Sequence, residues 1–243
     1  MRVVRVHIDR DLAGQASIDL TGAPAHYLLR VLRLRAGASV ALFDGSGLEY
    51  PGEIVATEAR AGCRVRLDAP RAPAVESAFQ VTLIQAVGRG DRMDWCVQKT
   101  TELGVARIQP VFTERTEVRL DERRALKRRD HWHQVAVSAA EQSGRVRVPQ
   151  IDQPVALEDL PTPSLPGFYL DPGATLTPGE LTMPAPPRCT VIIGPEGGLT
   201  EAESARLVRS GCQGLRLGPR ILRTETAGPA VLAILQSRFG DLA

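Results

Sequence analysis

Lysine, cysteine and long apolar runs are scarce in this sequence of 243 residues. No apolar run approaches the roughly 20 residues that a membrane span needs, and the first residues lack the apolar core of a signal peptide. These absences predict a cytoplasmic protein with no membrane partner. The sequence has no Gly-Lys-Ser/Thr of a phosphate-binding loop and no G-x-G-x-x-G after a strand, which argues against an enzyme of nucleotide phosphates.

The four cysteines stand at positions 63, 96, 189 and 212. None is paired in a C-x-x-C motif and none lies beside a histidine, so neither a zinc site nor a disulfide framework is indicated. We expect all four to be buried as small apolar residues, and we expect no bound metal.

The basic residues are almost all arginine, because only Lys99 and Lys127 are lysines among 30. The arginine count therefore carries little weight by itself. The net charge of +2 is uneven, with +1 over residues 1–70, +4 over 71–150 and −3 over 151–243. The modest local excess is compatible with a nucleic-acid partner without requiring one.

The N-terminal third has the pattern of a small β-barrel. Residues 1–70 contain short alternating runs separated by turn signals such as Asp44-Gly45-Ser46-Gly47, with one helix expected over 25–33. A segment rich in proline and alanine follows, and we assign residues 71–78 to a linker.

Residues 79–243 alternate between expected strands and helices, which predicts an α/β domain with a mainly parallel sheet. Helices are expected over 91–103 and 121–143, each followed by a glycine. Pro110 lies in an expected strand over 107–112, and we expect that strand to lie at the sheet edge or to end there.

The stretch over residues 191–203 is the most informative part of the chain. An apolar, β-branched run ends abruptly in Gly194-Pro195, and the pair Gly197-Gly198 allows close approach of a ligand to the main chain. Thr200 then begins a helix, with Glu203 as its capping partner. A strand, a glycine loop and a helix N-terminus form a ligand-binding arrangement in α/β proteins.

Residues 215–227 repeat this arrangement. A short strand ends in Gly218-Pro219, a loop follows, and a threonine-rich segment begins the last helix. Two such loops could share one ligand.

These two segments, IGPEGGLT over 193–200 and LGPRILRTETA over 217–227, resemble the cofactor region of the SPOUT methyltransferases. More narrowly, the chain resembles the RsmE family, the uridine-N3 methyltransferases of small-subunit ribosomal RNA. The stretches that support this narrower resemblance are 90–104, 112–115, 140–145, 26–33 and 43–45.

The resemblance implies a PUA-like RNA-binding β-barrel followed by an α/β SPOUT domain with a C-terminal trefoil knot. It implies S-adenosylmethionine (SAM) as cofactor, ribosomal RNA as partner within the small subunit, and a homodimer. The small apolar residues of the last helix suit close packing, either across a dimer or within one subunit, and the resemblance favours the dimer; these residues are Ala230, Val231, Ala233, Ile234 and Leu235. The implied cofactor-binding residues are Leu170, Ile193, Gly194, Gly197, Gly198, Leu217, Gly218, Ile221, Leu222 and Thr226.

Methylation at uracil N3 needs a proton acceptor and a group that stabilises the uracil anion. Glu196, Glu114 and Glu225 compete for the first role. Arg115, Arg145 and Arg223 are candidates for the second, and Arg223 is favoured because it lies inside the second loop. The residues expected to contact RNA are His26, Arg30, Arg33 and Arg145.

The sequence departs from the family pattern at Gly228-Pro229. Because proline is tolerated only in the first turn of a helix, we expect the last helix to begin near Ala227 or to bend there. Two other functions stay open: a SPOUT enzyme acting on transfer RNA or another ribosomal base, and a non-catalytic RNA-binding or ribosome-assembly factor.

Overall fold

The computed structural model describes residues 3–58, 62–118, 121–164 and 166–242. The chain divides into two compact units, Met1–Glu76 with Ala140–Val148 and Ser77–Ala139 with Pro149–Ala243. The division after Glu76 falls inside the expected linker, but the sequence did not predict that 140–148 would join the first unit. Within the described ranges, no helix is long and apolar enough to cross a membrane.

The first unit is built on a five-stranded sheet with the order β1-β3-β4-β5-β2. Strand β1 runs parallel to β3, and the other neighbours are antiparallel. One face is buried, as the alternation in β5 shows, and the core beneath it contains the fully buried Leu12, Leu28, Leu42 and Ile54. The strands are β1 (Val4–His7), β2 (Ser17–Leu20), β3 (Ser39–Phe43), β4 (Glu49–Glu58) and β5 (Gly62–Leu67).

The helix expected over 25–33 is a short α-helix that continues as a π-helical turn. Helix α1 spans Gly22–His26, and the π-helical turn spans Tyr27–Val31. The hydrophobic pattern predicted a helix here, but this pattern does not distinguish an α-turn from a π-turn.

Glu76 holds the segment 140–148 to the first unit. Its Oε1 accepts the backbone N–H groups of Val146 and Arg147, each at 2.9 Å, and its Oε2 accepts Arg145 Nη2 at 2.9 Å. Arg5 Nη2 donates to the Arg145 carbonyl at 2.7 Å. These bonds join residues about 70 and 140 positions apart in the chain, which is why the sequence did not predict them.

The second unit contains a seven-stranded sheet, and its parallel strands confirm the predicted mainly parallel sheet. Its order is β12-β10-β11-β6-β7-β8, and β9 also pairs with β7. All these neighbours run parallel. The strands are β6 (Gln80–Ala86), β7 (Arg107–Phe112), β8 (Gln150–Ile151), β9 (Val155–Ala156), β10 (Gly167–Leu170), β11 (Arg188–Ile193) and β12 (Gln213–Leu215).

The position of Pro110 differs from the prediction. Strand β7 is not an edge strand and does not end at Pro110, which is its fourth residue. On one side β7 pairs with β8 through Arg107 and Ile108 and with β9 through Val111 and Phe112. Pro110 lies in the gap between these two short partners, where its missing N–H breaks neither ladder.

Four helices accompany the sheet: α2 (Arg92–Glu102), α3 (Glu122–Ser143), α4 (Glu201–Arg209) and α5 (Thr224–Phe239). Short 3₁₀ turns span Leu157–Asp159 and Pro178–Glu180. The four cysteines are free and buried, as expected.

The structure partly contradicts the expectation that this face of α5 mediates dimer contact. Val231 and Leu235 are fully buried within the protomer, whereas Ile234 is 38% exposed. The two buried residues satisfy the apolar pattern by packing inside their own chain.

Candidate functional site

A cleft of about 460 Å³ lies at the carboxyl ends of three neighbouring parallel strands. Leu170, Ile193 and Leu215 are the last residues of β10, β11 and β12, and all three line the cleft. The carboxyl ends of strands in an open α/β sheet are the usual place for a ligand. The cleft volume lies within the range of small-molecule and cofactor sites.

The first glycine loop connects β11 to α4 and forms one wall. Gly198 has a φ of +71°, a conformation that side chains with a Cβ rarely adopt. The helix that follows is capped as predicted: Thr200 Oγ1 accepts the Glu203 N–H at 3.2 Å, and Glu203 Oε2 accepts the Thr200 N–H at 2.8 Å. The loop therefore leads into a firmly anchored helix.

The second loop connects β12 to α5 and also lines the cleft. Gly218 has a φ of +97°, and no heavy atom lies within 4 Å of the position where a Cβ would stand. The same open space surrounds the corresponding position of Gly198. Both glycines line the cleft. At each of them the cleft is open next to main-chain atoms that no side chain covers.

Helix α5 begins at Thr224, so the expected start near Ala227 is wrong, while the alternative of a bend there stays a prediction. The buried Thr224 donates its hydroxyl to the Gly194 carbonyl, which joins the two loops. The N–H groups of Thr226 and Ala227 both donate to the Arg223 carbonyl at 2.9 Å and form the first turn. Pro229 lies inside the helix, where its missing N–H removes one backbone hydrogen bond.

Three charged side chains meet at the cleft. Arg92 Nη1 lies 2.5 Å from Glu196 Oε1, and Arg92 Nε lies 3.9 Å from Glu225 Oε1. The Glu225 side chain is only 15% exposed, and its Oε2 is buried with no hydrogen-bond partner among the described residues. A buried carboxylate oxygen without a partner is uncommon in proteins.

The charge of the Glu225 carboxylate also acts on the thiol of Cys96 on α2. Burial, followed by the charge of Glu225, raises the pKa of the Cys96 thiol to about 12. Cys96 therefore stays protonated and contributes to packing, with its Sγ 3.4 Å from Gln85 Oε1.

Most of the predicted site residues come together in this cleft. Arg223 and Glu196 line it. The predicted cofactor residues that also line it are Leu170, Ile193, Gly194, Gly198, Leu217, Gly218, Ile221 and Leu222.

Besides the predicted RNA contacts, four predicted catalytic or cofactor-binding residues do not line the cleft: Gly197, Thr226, Arg115 and Glu114. Arg115 Nη1 donates to the Gly197 carbonyl at 2.9 Å, so Arg115 supports the glycine loop from outside. Glu114 lines a second cleft of about 880 Å³, and its N–H donates to Glu203 Oε1 at 2.9 Å. Thr226 is exposed on the first turn of α5.

The position of Arg145 argues against its predicted contacts with RNA and with the uracil anion. Its residue is 6% exposed and its guanidinium pairs with Glu76 in the first unit. His26, Arg30 and Arg33 are exposed in the first unit, around the π-helical turn.

The sequence did not predict three charged residues of the cleft: Arg92, Asp171 and Arg220. Arg92 lies in the stretch 90–104 that resembles the RsmE family, but nothing in the sequence places it beside Glu196, 104 positions away. Asp171 directly follows the predicted residue Leu170, and Arg220 lies in the predicted second loop. These neighbours were the signal in the sequence that could have identified both residues.

Comparison with protein-family models gives two matches. An RNA methyltransferase domain matches residues 75–236, and an RNA methyltransferase PUA domain matches residues 20–61. The first model alone covers more than half of the chain.

Known relatives match this chain over nearly its full length. The chain is 30% identical to the ribosomal RNA small subunit methyltransferase E of Buchnera aphidicola subsp. Schizaphis graminum, over 99% of this chain and 98% of the relative. The same enzyme of Neisseria gonorrhoeae, in a crystal structure bound to SAM, is 33% identical with a TM-score of 0.90 and full coverage of both chains.

A protein of Legionella pneumophila, also determined in complex with SAM, is 32% identical with a TM-score of 0.93 over the whole of both chains. The matched models, the relatives and the fold are consistent with one another. The chain therefore belongs to the ribosomal RNA small subunit methyltransferase E (RsmE) family.

Proposed function

We propose that the cleft binds S-adenosylmethionine and that the chain transfers its methyl group to N3 of a uridine in small-subunit (16S) ribosomal RNA. The observation that carries this proposal is the pair of glycine loops, joined by the Thr224–Gly194 hydrogen bond, at the ends of three parallel strands. The SAM bound to the Neisseria and Legionella proteins supports the choice of cofactor.

The residues present fit this cofactor. The open space beside Gly198 and Gly218 suits a flat adenine and its ribose against main-chain groups. Leu170, Leu217 and Leu222 supply apolar contacts in the same cleft. The carboxylates of Asp171 and Glu196 can accept hydrogen bonds from hydroxyl and amino groups.

When bound, SAM supplies an electrophilic methyl group, and the protein must hold the uracil and manage its charge. Arg223 lies at the N-cap of α5 and lines the cleft with its side chain exposed. A guanidinium in this position presents a planar set of donors to the uracil oxygens, where negative charge develops as N3 loses its proton.

Glu225 is the best placed of the three predicted proton acceptors. Glu196 is already engaged by Arg92 at 2.5 Å, and Glu114 lines the other cleft. Glu225 lines the proposed cofactor cleft, is largely buried, and keeps one oxygen without a hydrogen-bond partner in the described structure. A carboxylate that lines the site can accept the N3 proton, and Glu225 is the one we propose for this role.

The finer features that the resemblance implies belong to the same proposal. They are the trefoil knot, a cytoplasmic homodimer and action on the assembled small subunit. For the dimer, the partly exposed residues of α5 around Ile234 are the remaining candidates for contact. A monomer in sedimentation at micromolar concentration would refute the dimer, but it would not contradict the proposed methyl transfer.

The test is transfer of a tritiated methyl group from SAM to assembled small subunits, naked ribosomal RNA and transfer RNA, followed by mapping of the modified base. Modification at uridine N3 in the small-subunit RNA is the expected result. Preferential labelling of transfer RNA or of another base would replace the proposed substrate. SAM binding without labelling of any of these RNAs would favour a non-catalytic factor.

A further inference from the structure

Arg92 pairs with two carboxylates that come from separate segments of the second unit. Its Nη1 lies 2.5 Å from Glu196 Oε1 in the first glycine loop, and its Nε lies 3.9 Å from Glu225 Oε1 in the first turn of α5. One planar guanidinium therefore presents different nitrogens to both acids. The ammonium of a lysine is a point charge on a flexible stem and does not provide this fixed pair of donors.

Helix α2 gives no reason of its own for an arginine at this position. Arg92 is the first residue of α2, where the positive end of the helix dipole opposes a cation. The N-cap residue before it, Asp91, makes no side-chain hydrogen bond that caps the helix. Among the described residues, the acidic partners of Arg92 are Glu196 and Glu225, so its place is explained by contacts outside its own helix.

The segments that contribute to this cluster converge at Gly88, in the loop between β6 and α2. A Cβ placed on Gly88 would lie 3.4 Å from Arg92 Cβ, 3.8 Å from Glu196 Oε1 and 3.8 Å from Thr224 Cγ2. Thr224 also donates its hydroxyl to the Gly194 carbonyl. The first glycine loop and the start of α5 are thus joined twice, by the threonine hydroxyl and by the arginine.

Loss of this guanidinium would leave two carboxylates in one cluster without the cation that pairs with both. Like charges that share a site repel each other. Glu196 and Glu225 belong to the two segments that line the cofactor cleft, so their repulsion would move the groups that hold the cofactor and accept the proton. A displacement of about 1 Å at a reacting group can cost about 100-fold in rate.

We propose that Arg92 is a positioning residue that acts through Glu196 and Glu225. It holds the first glycine loop and the start of α5 in the arrangement that methyl transfer needs, and it takes no part in the chemistry itself. The expected effect on the rate rests on the proposed function. The expected effect on the two segments does not, because it is measured without cofactor or RNA.

The first experiment measures amide hydrogen exchange by NMR in the full chain without cofactor. The reporters are hydrogen-bonded N–H groups in the two segments, those of Gly198, Thr226 and Ala227. In Arg92→Gln we expect these amides to exchange severalfold faster than in the parent, because the segments open more often when their carboxylates are not held. Exchange in the central strands β6 and β11 should stay unchanged, which shows that the variant is folded.

Arg89→Gln is the matched control for this measurement. Arg89 is exposed in the same loop and pairs with one carboxylate, that of Glu117, at 2.5 Å, but it does not line the cofactor cleft. This variant removes a guanidinium and an ion pair of the same kind. It should leave the three reporter amides and the Kd for SAM at the values of the parent.

The second experiment measures single-turnover methyl transfer at saturating SAM and RNA. Arg92→Gln should lower the rate on the order of 100-fold, with a smaller change in the Kd for SAM. Arg92→Lys should recover only part of this rate, because an ammonium does not hold two carboxylates at once. In a background that carries Glu196→Gln and Glu225→Gln, Arg92→Gln should cause no further loss, because the groups through which it acts are already absent.

Three results would overturn the proposal. Unchanged exchange of the reporter amides in Arg92→Gln would show that the ion pairs do not hold the segments, and an equal rise in all strands would show a general loss of stability. A further loss of about 100-fold in the background without the carboxylates would show that Arg92 acts on the uracil or the cofactor directly. A parent that binds SAM but methylates no RNA would refute the proposed function, whereas faster exchange at the three amides would still show that Arg92 holds the two segments.

Discussion

Thr224 donates its hydroxyl to the main-chain carbonyl of Gly194, and this bond joins the start of the last helix to the first glycine loop. The two residues are 30 positions apart, yet both line the same cleft. The bond holds the second loop beside the first, so that residues at two separate strand ends line one cleft.

Replacing Thr224 by valine should weaken the cofactor cleft. Valine keeps the shape of threonine but leaves the Gly194 carbonyl without its donor, at a cost of about 1–2 kcal/mol in the free energy of unfolding. We expect the Kd for SAM to rise at least severalfold in calorimetry. Thr226→Val is the matched control, because Thr226 is exposed on the same turn and does not line the cleft. Equal effects of the two variants would show that the bond has no special role.

Gly198→Val should block cofactor binding by more than its backbone cost. Gly198 and Gly14 have almost the same conformation, with φ of +71° and +70°, and both have open space at the Cβ position. Gly14 lies in the first unit, so Gly14→Val reports the backbone cost alone. Both variants should lose similar stability in urea unfolding, but only Gly198→Val should lose SAM affinity in calorimetry. Unchanged SAM affinity in Gly198→Val would refute the assignment of this cleft.

The local features of the site could be predicted from the sequence. The strand run that ends in Gly194-Pro195 and the pair of Thr200 and Glu203 lie within 13 residues, and each has a short-range cause in turn or capping chemistry. The structure confirms both the loop and the reciprocal cap. The parallel sheet could also be predicted, because strands and helices alternate along the sequence.

Features that depend on distant residues could not be predicted. The partners of Arg92 lie beyond position 190, and the partner of Arg145 lies near position 76. Arg145 therefore looked like one more basic residue available for RNA, whereas the fold buries it against Glu76. The start of α5 was wrong for a related reason, since a rule about proline in isolated helices ignores the tertiary bond of Thr224.

Glu141 should make the stability of the first unit depend on pH in a specific direction. Burial is the main cause that raises the pKa of this carboxyl above its usual value of 4.5, although the His7 N–H donates to it at 2.9 Å. An acid whose pKa is raised by folding destabilises the folded state when ionised, and the folded state becomes relatively more stable as the pH falls through the raised pKa.

Glu141→Gln should therefore raise the free energy of unfolding at neutral pH, by up to about 1 kcal/mol. Glutamine can still accept the His7 N–H, so the hydrogen bond is kept. The advantage over the parent should shrink as the pH falls toward 4.5, where the parent carboxyl is protonated as well. Urea unfolding at a series of pH values measures the difference, and an advantage that does not change with pH would contradict the burial argument.

Arg223→Ala should slow the chemical step more than it weakens binding. The loss of one preorganised donor costs a factor on the order of 100 to 1,000 in rate, and Arg223→Lys should not restore it, because an ammonium cannot reproduce the planar guanidinium. Single-turnover kinetics at saturating SAM and RNA measure the chemical step directly. A normal saturated rate with a raised Kd for SAM would show that Arg223 only positions its loop.

Glu225→Gln should remove the proton acceptor while keeping the size and polarity of the side chain. We expect the single-turnover rate to fall about 100- to 10,000-fold, as the loss of a general base predicts. SAM affinity should change little, because the amide can occupy the same position. The remaining activity should rise with pH in proportion to the small fraction of uracil that is already ionised, since an ionised N3 no longer needs a base.

Glu196→Gln is the competing variant, because Glu196 lines the same cleft but is paired with Arg92 at 2.5 Å. If Glu196→Gln shows the larger loss in rate and the changed pH profile, the proton goes to Glu196 and the assignment of Glu225 is wrong.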